Sequence, residues 1–472
     1  MKYLKFQNLT YLFIAVYTLA AIVVSVNRFW QYQNFYFDFG IFDSAIWKVS
    51  RFEQPLIDHV DLSSQDLPIF ADHFSPSIFL ISPLYWITNR SEMLLVVQAL
   101  SAGFGGLIAF KLADSLIKNK LVVFSLVFAF LGYVGLQNAL ISDFHEATVA
   151  VLPLTLLFWA CYKKRWKTYF VCLIILLGFK ESFAGLGLSI ALFILLKNLT
   201  KRRDTTQLKV AAATALISII WGIVAIKLII PHFSGGRYLY APATFPKDPL
   251  SFLREFTTPV LRFQTMVYSF LTFGFLPLLN ISILPAIFEN FFERFVLTVN
   301  KGQDLGMHYN APLSPLLFVG AMDVFLWLQK SKKYLKLSSV LAIAIIISVT
   351  VLHRFTLRGP LGLFYNRAFY QQNDHVDYVN KFVNNFPHDG LIMTQNDLAV
   401  RLTHYNVKLL RPDYVPFNPD HVILNLTPGQ NPNSYTPLTL EQVTHLRDLL
   451  LKDKSYSVKK YADELYIFSK IK

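Results

Sequence analysis

The sequence has few cysteines and none of the short motifs that assign a reaction by themselves. Its two cysteines, Cys161 and Cys172, lie inside apolar stretches, without a CxxC motif or the spacing of metal ligands. Both are therefore expected to pack among apolar neighbours. The chain also lacks a Walker A motif, a GxGxxG fingerprint, an HExxH pair and a nucleophile elbow. A functional assignment must therefore rest on groups of residues.

Charge is scarce as well. Charged residues make up only 16% of the 472 residues and hydrophobic residues 54%, a balance that a soluble enzyme of this length would struggle to keep in solution. Apolar stretches of roughly 20 residues, the length of a spanning helix, recur from residue 9 to residue 353. The net charge of +14 comes from lysines and arginines concentrated at the ends of these stretches. There they act as topology signals, so we expect a multi-pass protein of the cell membrane and no nucleic-acid partner.

The apolar pattern stops after residue 353. Residues 354–472 carry alternating charges, prolines and asparagines with short β-branched runs. The runs "LIMTQ", "VKLLRP" and "HVILNL" predict strands, and the patterns near 374–386 and 439–453 predict helices. The sequence thus predicts an all-α polytopic membrane domain over 1–353, with about ten to twelve membrane segments, followed by a small α/β soluble domain over 354–472.

The positive-inside rule orients this arrangement. Lysines near the start place the N-terminus in the cytoplasm, and the first apolar run is too long for a signal peptide and lacks a cleavage site. An uncleaved first helix then delivers a large loop, residues 28–75, to the outside. Basic clusters at 163–167 and 197–204 both belong inside, so the apolar stretch between them must turn back as two short helices with Lys180 and Glu181 at the outer tip. One long helix would instead leave this pair mid-membrane, at about 2.5–3.5 kcal/mol per charge.

Ionisable residues from separate parts of the chain all fall on the outer face in this topology, which also exports the tail domain. They are Asp38, His73, Asp143, His145, Glu146, Lys180, Glu181, Arg237 and His308. Ionisable side chains at the edge of a membrane are costly, and by default they mark a substrate path or a site. We therefore expect these residues to line one outer-face site.

Each motif also has a structural interpretation. In "FYFDFGIFDSAIW", residues 35–47, Asp38 and Asp43 stand among aromatics. Each of them either caps a helix or is a carboxylate whose basicity is raised by burial. In "DFHEA", Asp143 and Glu146 have the spacing of a capping box, which leaves His145 unexplained. Alternatively, Asp143 and His145 bind a divalent metal together with a carboxylate from elsewhere.

The remaining candidates have two interpretations too. Lys180 and Glu181 either neutralise each other at the hairpin tip or present a positive charge to a phosphate. Arg237 follows "SGG" and is either solvated or able to close over a ligand. His308 and Tyr309 precede a proline-led helix, where a histidine is often only structural.

The ordered set of motifs is more specific than any one of them. "FDFGIFDSAIW", "DHFSP", "DFHEA", "GFKES" and "HYNAPLSPLLF", followed by "LIMTQNDLAVRLTHYNVKLLRP" and "PDHVILNL", resemble a family of bacterial polytopic proteins known as domain of unknown function 2079. That family is similar in layout to the GT-C glycosyltransferases. These are membrane enzymes that take a sugar from a polyprenyl-phosphate carrier on the outer leaflet.

The resemblance implies a site and partners. The catalytic base would be an acid of the first outer loop, Asp38, with Asp43 in reserve, and the carrier phosphate would meet Lys180, Arg237 or His308. Further substrate-binding candidates by position are His73, His145, Glu146, Glu181 and Tyr309. The partners would be a polyprenyl-phosphate sugar donor, a cell-envelope acceptor and membrane lipid. This chain lacks the adjacent pair of acids common in the first loop of such enzymes, which leaves both the base and the need for a divalent cation open.

Two other functions fit the same residues. A transporter or lipid-carrier-binding protein would use the charges as a proton or ion relay, and it would be expected to show a two-fold internal repeat. A membrane scaffold would bind envelope components through its tail and would not need Asp38.

Overall fold

A computed structural model describes residues 6–199, 204–240, 245–246, 248–297, 303–371, 374–461 and 464–471. Most of these residues are helical, and a small five-stranded sheet lies near the C-terminus. The predicted class, a helical multi-pass membrane protein with a small α/β domain after it, is confirmed.

The α-helices are numbered in the order in which they follow one another along the chain. They are α1 (Phe6–Trp30), α2 (Ile41–Ser50), α3 (Met93–Leu116), α4 (Lys120–Gly132), α5 (Val134–Ile141), α6 (Glu146–Val149), α7 (Val151–Tyr162), α8 (Trp166–Leu177), α9 (Phe183–Leu199), α10 (Thr205–Ile223), α11 (Ile230–Phe233), α12 (Pro249–Thr257), α13 (Val260–Thr272), α14 (Leu284–Phe292), α15 (Leu313–Leu328), α16 (Leu335–Val351), α17 (Asp374–Val383), α18 (Asn396–Ala399) and α19 (Leu440–Leu450).

Five helices within the described ranges are long and apolar enough to cross a membrane. They are α1, α3, Thr205–Phe233, His308–Leu328 and Lys332–Thr356, and α4 with α5 makes a sixth if this pair, bent by 43°, is one span. The segments Glu146–Tyr162, α8 and α9 are apolar but shorter. The sequence-based count of ten to twelve is larger because it includes such short segments, which at 1.5 Å per residue fall below the roughly 30 Å of the hydrocarbon core.

Three apolar stretches are broken in the structure, and the first of these breaks was predicted from the basic clusters that flank it. The stretch between the basic clusters forms two helices, α8 and α9, and the chain breaks at 178–182. The proline-containing run after "DHFS" is the 3₁₀ helix Pro76–Trp86 rather than a span. Residues 264–293 are interrupted between α13 and α14, because Pro277 and Pro285 cannot continue a helix from the preceding turn.

The chain packs as two compact units. The first comprises Met1–Ser25, Asp72–Ile78 and Leu95–Asn366, and the second comprises Val26–Ala71, Phe79–Leu94 and Arg367–Lys472. Most of the first loop therefore packs with the C-terminal residues in one unit. The division predicted at residue 353 separates a membrane domain from a soluble domain, whereas these units are defined by packing. It therefore stays a prediction.

The sheet of the second unit is mixed. Its strands are β3 (Ile392–Thr394), β4 (Val407–Leu409), β5 (His421–Asn425), β6 (Tyr456–Tyr461) and β7 (Leu465–Lys470), after a short antiparallel pair in the first loop, β1 (Leu56–Ile57) and β2 (Leu67–Pro68). The order is β4-β3-β5-β7-β6, with β3 parallel to β4 and β5 and the last two pairings antiparallel. All three strands predicted from the tail are present, and so are both helices, as α17 and α19. Strands β6 and β7 were not predicted, because the residues of β6 between its two tyrosines are exposed and largely polar.

Polar contacts tie the first loop to the tail within the second unit. The buried Asp58 carboxylate accepts hydrogen bonds from Arg411 Nη2 at 2.7 Å and from the Leu409 N–H at 2.9 Å. Lys408 pairs with Asp66 and the Tyr32 hydroxyl donates to Asn380 Oδ1 at 2.8 Å. The tail is therefore part of the structure that holds the loop carrying the predicted base.

Candidate functional site

A buried cluster of charges forms around the break between α8 and α9. Lys180 Nζ lies 3.1 Å from Glu146 Oε1, and His73 Nδ1 lies 2.9 Å from Glu181 Oε1. The start of the 3₁₀ helix Pro76–Trp86, just after His73, is joined to this break, since the Ser77 N–H donates to the Gly178 carbonyl at 2.8 Å. A Cβ atom at Gly178 would collide with Ser77 Oγ, so a larger residue there would force the Ser77 side chain to move. Both pairs belong to the first compact unit.

The "DFHEA" motif does not form the expected capping box. The N-cap residue of α6 is His145, with no side-chain cap bond, and the Glu146 carboxylate pairs with Lys180 instead. The prediction that Asp143 caps the helix with Glu146 at N3 is therefore wrong. The physical reason is that an unpaired buried charge costs several kcal/mol, which is more than a cap on a four-residue helix would contribute.

His145 is held from two sides. Its backbone N–H donates to Gln98 Oε1 at 2.9 Å, and Gln98 Nε2 in turn donates to the carbonyls of Ala139 and Leu140. Its ring stacks on that of His308, with centroids 3.3 Å apart and 19° between the planes. Gln98 thus fixes the "DFHEA" backbone against α5, and the histidine of this motif lies beside the "HYN" segment.

A cavity of about 400 Å³ opens beside these charges. Four of its lining residues are predicted site residues, namely His73, Lys180, Glu181 and Tyr309. The wall also includes two acids and a cation that were not predicted, Glu289, Glu293 and Lys227.

Two tyrosines of the loop after α11 complete the cavity wall. The Tyr240 hydroxyl donates to Asp72 Oδ1 at 2.7 Å, and its ring stacks on His73 with centroids 4.5 Å apart. The Tyr238 hydroxyl donates to Glu181 Oε1 at 3.3 Å, while Glu181 Oε2 is buried with no hydrogen-bond partner in the described ranges. The cavity therefore combines aromatic faces with an acceptor that a ligand hydroxyl would satisfy.

The charges in the connecting segments stabilise one another. Burial lowers the pKa of His73, but the carboxylates of Glu181 and Asp72 outweigh this and raise it to about 9. Burial raises the pKa of Glu181, but His73 outweighs it and the net shift is downward. Burial lowers the pKa of Lys180, but Glu146 outweighs it and the net shift is upward. At neutral pH the cluster thus holds two cations and their two carboxylates.

The predicted bases lie in the second compact unit. Asp38 is exposed on the π-helical turn Tyr36–Gly40, and the neighbouring Phe37 N–H donates to Asn396 Oδ1 at 2.9 Å. Asp43 is fully buried in α2, where Thr403 and Tyr85 donate to it and His404 Nε2 lies 3.2 Å away. Arg237 is exposed and is not among the residues that line the cavity of the first unit.

The sequence matches a family described as "Predicted membrane protein (DUF2079)" over residues 28–467. The chain belongs to this family. Its structure is similar to the crystal structure of ArnT from Cupriavidus metallidurans bound to undecaprenyl phosphate, with a TM-score of 0.56 and 11% sequence identity over 98% of this chain and 97% of that one. No curated protein matches the sequence. The GT-C-like fold that the resemblance implies for this DUF2079 member is thus confirmed.

Sequence reasoning missed two carboxylates of the cavity in this DUF2079 member. Glu289 lies in α14, and Glu293 follows one turn later in the π-helical segment Glu293–Leu297. Their i, i+4 spacing inside a proline-led apolar stretch is a signal that could have found them, because acids on one face of such a helix need a polar neighbour.

A metal site is not evident from the geometry. Within the described ranges no group of three or more His, Cys, Asp or Glu side chains is arranged to hold a metal ion. Asp143 and His145 supply at most two ligands, and the His145 ring already stacks on His308. Their metal-binding role stays a prediction.

The raised pKa of His73 predicts a pH-dependent stability. Because the pKa rises from 6.5 to about 9 on folding, the contribution of His73 is fully present below pH 6.5 and is lost as the pH rises through 9. We expect the free energy of unfolding to fall by on the order of 3 kcal/mol as the pH rises across this window. The thermal midpoint of the purified protein, measured from pH 6 to 10, should fall more steeply than that of His73→Gln.

The exposed histidine of α19 offers the control, since His445→Gln should keep the steep fall. Parallel curves for the wild type and His73→Gln would contradict the assignment of the proton to His73.

Proposed function

We propose that this protein is a membrane glycosyltransferase that moves a sugar from a polyprenyl-phosphate carrier to a cell-envelope acceptor on the outer face. The observation that carries the proposal is the cavity of the first unit, where paired charges and tyrosine rings meet inside a GT-C-like fold. ArnT, the protein of similar fold, was crystallised with undecaprenyl phosphate.

The polar chemistry of the cavity suits a sugar. Sugar hydroxyls donate hydrogen bonds, and Glu181 Oε2 is a buried acceptor that has no partner among the residues described. The rings of Tyr238, Tyr240 and Tyr309 provide faces on which a pyranose ring can pack. Glu289 and Glu293 add further acceptors on the same wall. We therefore assign the sugar to this cavity.

A lysine on a membrane span suits the carrier. Lys227 is exposed near the end of Thr205–Phe233, next to the exposed side chains of Ile223 and Leu228, and it also lines the cavity. A polyprenyl phosphate has an apolar chain that stays in the bilayer and a phosphate head that lies at its surface. A lysine at the end of a span reaches that depth, so Lys227 and Lys180 are the proposed partners of the phosphate.

The reaction needs a base and a stabilised leaving group. By the resemblance to GT-C enzymes, Asp38 of the first loop is the proposed base: its carboxylate takes the proton of the acceptor hydroxyl, whose oxygen then forms a bond to the anomeric carbon of the sugar. The bond between that carbon and the phosphate oxygen breaks, and the phosphate leaves with the electron pair. Lys180 and Lys227 offset the charge that develops on the phosphate. Asp38 is preferred to Asp43 because Asp38 is exposed whereas Asp43 is buried among three polar partners.

Lys227→Ala should weaken use of the carrier. Loss of a charge-assisted contact to the phosphate is expected to raise the KM for the polyprenyl-phosphate donor by about tenfold, equivalent to about 1.4 kcal/mol. Initial rates against donor concentration, in vesicles containing the purified protein, would measure the change. Lys209→Ala is the matched control, since Lys209 is also an exposed lysine of Thr205–Phe233 but does not line the cavity. An equal effect of the two substitutions would argue against a phosphate contact at Lys227.

Reconstitution tests the activity itself. The purified chain in vesicles should transfer labelled sugar from a polyprenyl-phosphate donor to membrane-envelope material supplied as acceptor. Transfer with at least one hexose or pentose donor is the expected outcome. Failure with every donor, by a preparation that is folded by thermal unfolding, would overturn the proposal.

The acids Glu289 and Glu293 favour a second candidate, a transporter or carrier-binding protein. Both line the cavity, and carboxylates within apolar helices are typical of proton relays. A transporter would move a labelled lipid across vesicles without joining its sugar to an acceptor, and Glu293→Gln would slow that movement. Movement without transfer would select this candidate.

A further inference from the structure

A second cavity, of about 360 Å³, lies in the second compact unit. Its wall includes Arg90 and Arg401, the polar side chains of Asn89 and Ser91, and the rings of Trp47 and His404. None of these residues was singled out from the sequence, and the proposed transfer reaction does not use them.

Arg401 is held in place by a backbone carbonyl and two aromatic rings. Its Nη2 donates to the Phe29 carbonyl at 2.8 Å, and its guanidinium lies 4.2 Å from the centre of the Phe29 ring and 4.6 Å from that of Tyr32. In the described ranges no carboxylate comes within ion-pair distance of it. Burial lowers the pKa of Arg401, which reflects the cost of keeping this cation from water. A fixed arginine with unused donors on a cavity wall is suited to an anion.

The surrounding charge is also positive. Arg90 is an exposed cation of the wall, and Arg51 Nη2 donates to Asn89 Oδ1 at 3.2 Å. The acid of the wall is Glu92, which accepts a hydrogen bond from Trp30 Nε1 at 2.8 Å. The wall therefore has two arginines, Arg90 and Arg401, and one carboxylate, while the buried Asp43 behind it is already bonded to Thr403 and paired with His404, so a phosphate would be bound by two guanidinium groups.

The cavity lies where two spans end. Phe29 belongs to the last turn of α1, and Asn89 to Glu92 immediately precede α3. In the same unit Phe52 is 88% exposed and Trp86 is 59% exposed, and their rings lie 6.2 Å apart. Exposed aromatic side chains such as these are typical of the membrane–water interface, which is the depth of lipid headgroups.

We propose that this cavity binds the phosphate of an anionic lipid headgroup at the membrane surface. Arginine forks match the oxygens of a phosphate, and the ends of α1 and α3 present the cavity to the headgroup layer. The proposal goes beyond the transfer reaction, because binding here requires neither Asp38 nor a sugar donor.

Lipid titration of the full chain in a neutral detergent tests the proposal. Short-chain phosphatidylglycerol should bind with at least about tenfold higher affinity than phosphatidylcholine of the same chain length, because only the first carries a net charge. Binding can be followed by tryptophan fluorescence, since Trp47 lies on the cavity wall, and by the shift in thermal midpoint.

Variants locate the site. Arg401→Gln and Arg90→Gln should each lower the affinity for phosphatidylglycerol about tenfold, and Arg367→Gln, at an exposed arginine outside the cavity wall, should not. Arg401 also packs between two rings, so its substitution can lower the stability of the fold as well as the affinity. Arg90 is exposed, so Arg90→Gln tests the affinity without this effect on folding. Unchanged affinity of Arg90→Gln and Arg401→Gln would overturn the proposal.

Two further measurements separate the alternatives. Inorganic phosphate that binds as tightly as the lipid would show a free-phosphate site and overturn the lipid assignment. Binding that persists in Asp38→Asn is expected, so failure of the transferase proposal and failure of the lipid proposal are distinguishable.

Discussion

Asp38→Asn is expected to lower the incorporation of labelled sugar by about 10²- to 10⁴-fold, because the amide cannot accept the proton of the acceptor hydroxyl. The substitution is nearly isosteric, and Asp38 is exposed on the turn Tyr36–Gly40. The turn itself is held through the Phe37 backbone, which donates to Asn396. Initial rates of incorporation in reconstituted vesicles would therefore report the loss of a base and not a change of fold.

Two matched variants make the result specific. Asp61→Asn removes another exposed carboxylate of the same loop and should leave the rate unchanged. Asp43→Asn perturbs a fully buried carboxylate bonded to Thr403, Tyr85 and His404. It should therefore lower the thermal midpoint, while the protein that remains folded keeps most of its kcat. Full activity in Asp38→Asn would refute the base assignment, and a kcat collapse confined to Asp43→Asn would move the role to Asp43.

Lys180→Met is expected to destabilise the protein by about 3–5 kcal/mol, because it leaves the buried Glu146 carboxylate without its counter-ion. Lys180 and Glu146 are 3.1 Å apart, and their side chains are 6% and 1% exposed. The thermal midpoint of the purified protein in detergent, at a fixed pH of 7, would measure the loss.

The double variant Lys180→Met with Glu146→Gln should recover most of the lost stability, since it removes both charges. An exposed pair provides the comparison. Lys460 and Glu464 are also close, at 2.7 Å, but their side chains are 54% and 40% exposed, so Lys460→Met should lower the thermal midpoint far less than Lys180→Met. Equal effects of Lys180→Met and Lys460→Met would mean that the cluster is solvated rather than buried.

The helical breaks and the tail strands could be predicted from the sequence for local reasons. The break at 178–182 follows from basic clusters on both sides of one apolar stretch, and the interruption at 264–293 follows from its prolines. Strands β3, β4 and β5 are short β-branched runs bounded by polar residues, which is a local signal. Strand β6 escaped prediction because the residues between its two tyrosines are exposed and largely polar.

Partners of the charged residues could not be predicted in the same way. Glu146 and Lys180 are 34 positions apart, and a capping box explained Glu146 locally until the structure showed its ion pair. Nothing near His73 in the chain indicates that Glu181 raises its pKa. The energy of a buried charge depends on what surrounds it in space, so a pattern of neighbours in sequence leaves it undecided.

By itself the sequence determined the membrane class, the α/β tail and the family, because hydrophobic length, strand patterns and ordered motifs are properties of contiguous residues. Only the tertiary structure decided that His73, Lys180 and Glu181 line one cavity with Glu289 and Glu293, and that the first loop packs with the tail. The physical reason is that pairing of charges and burial of cavities arise from contacts between segments far apart in the chain, which local propensity does not encode.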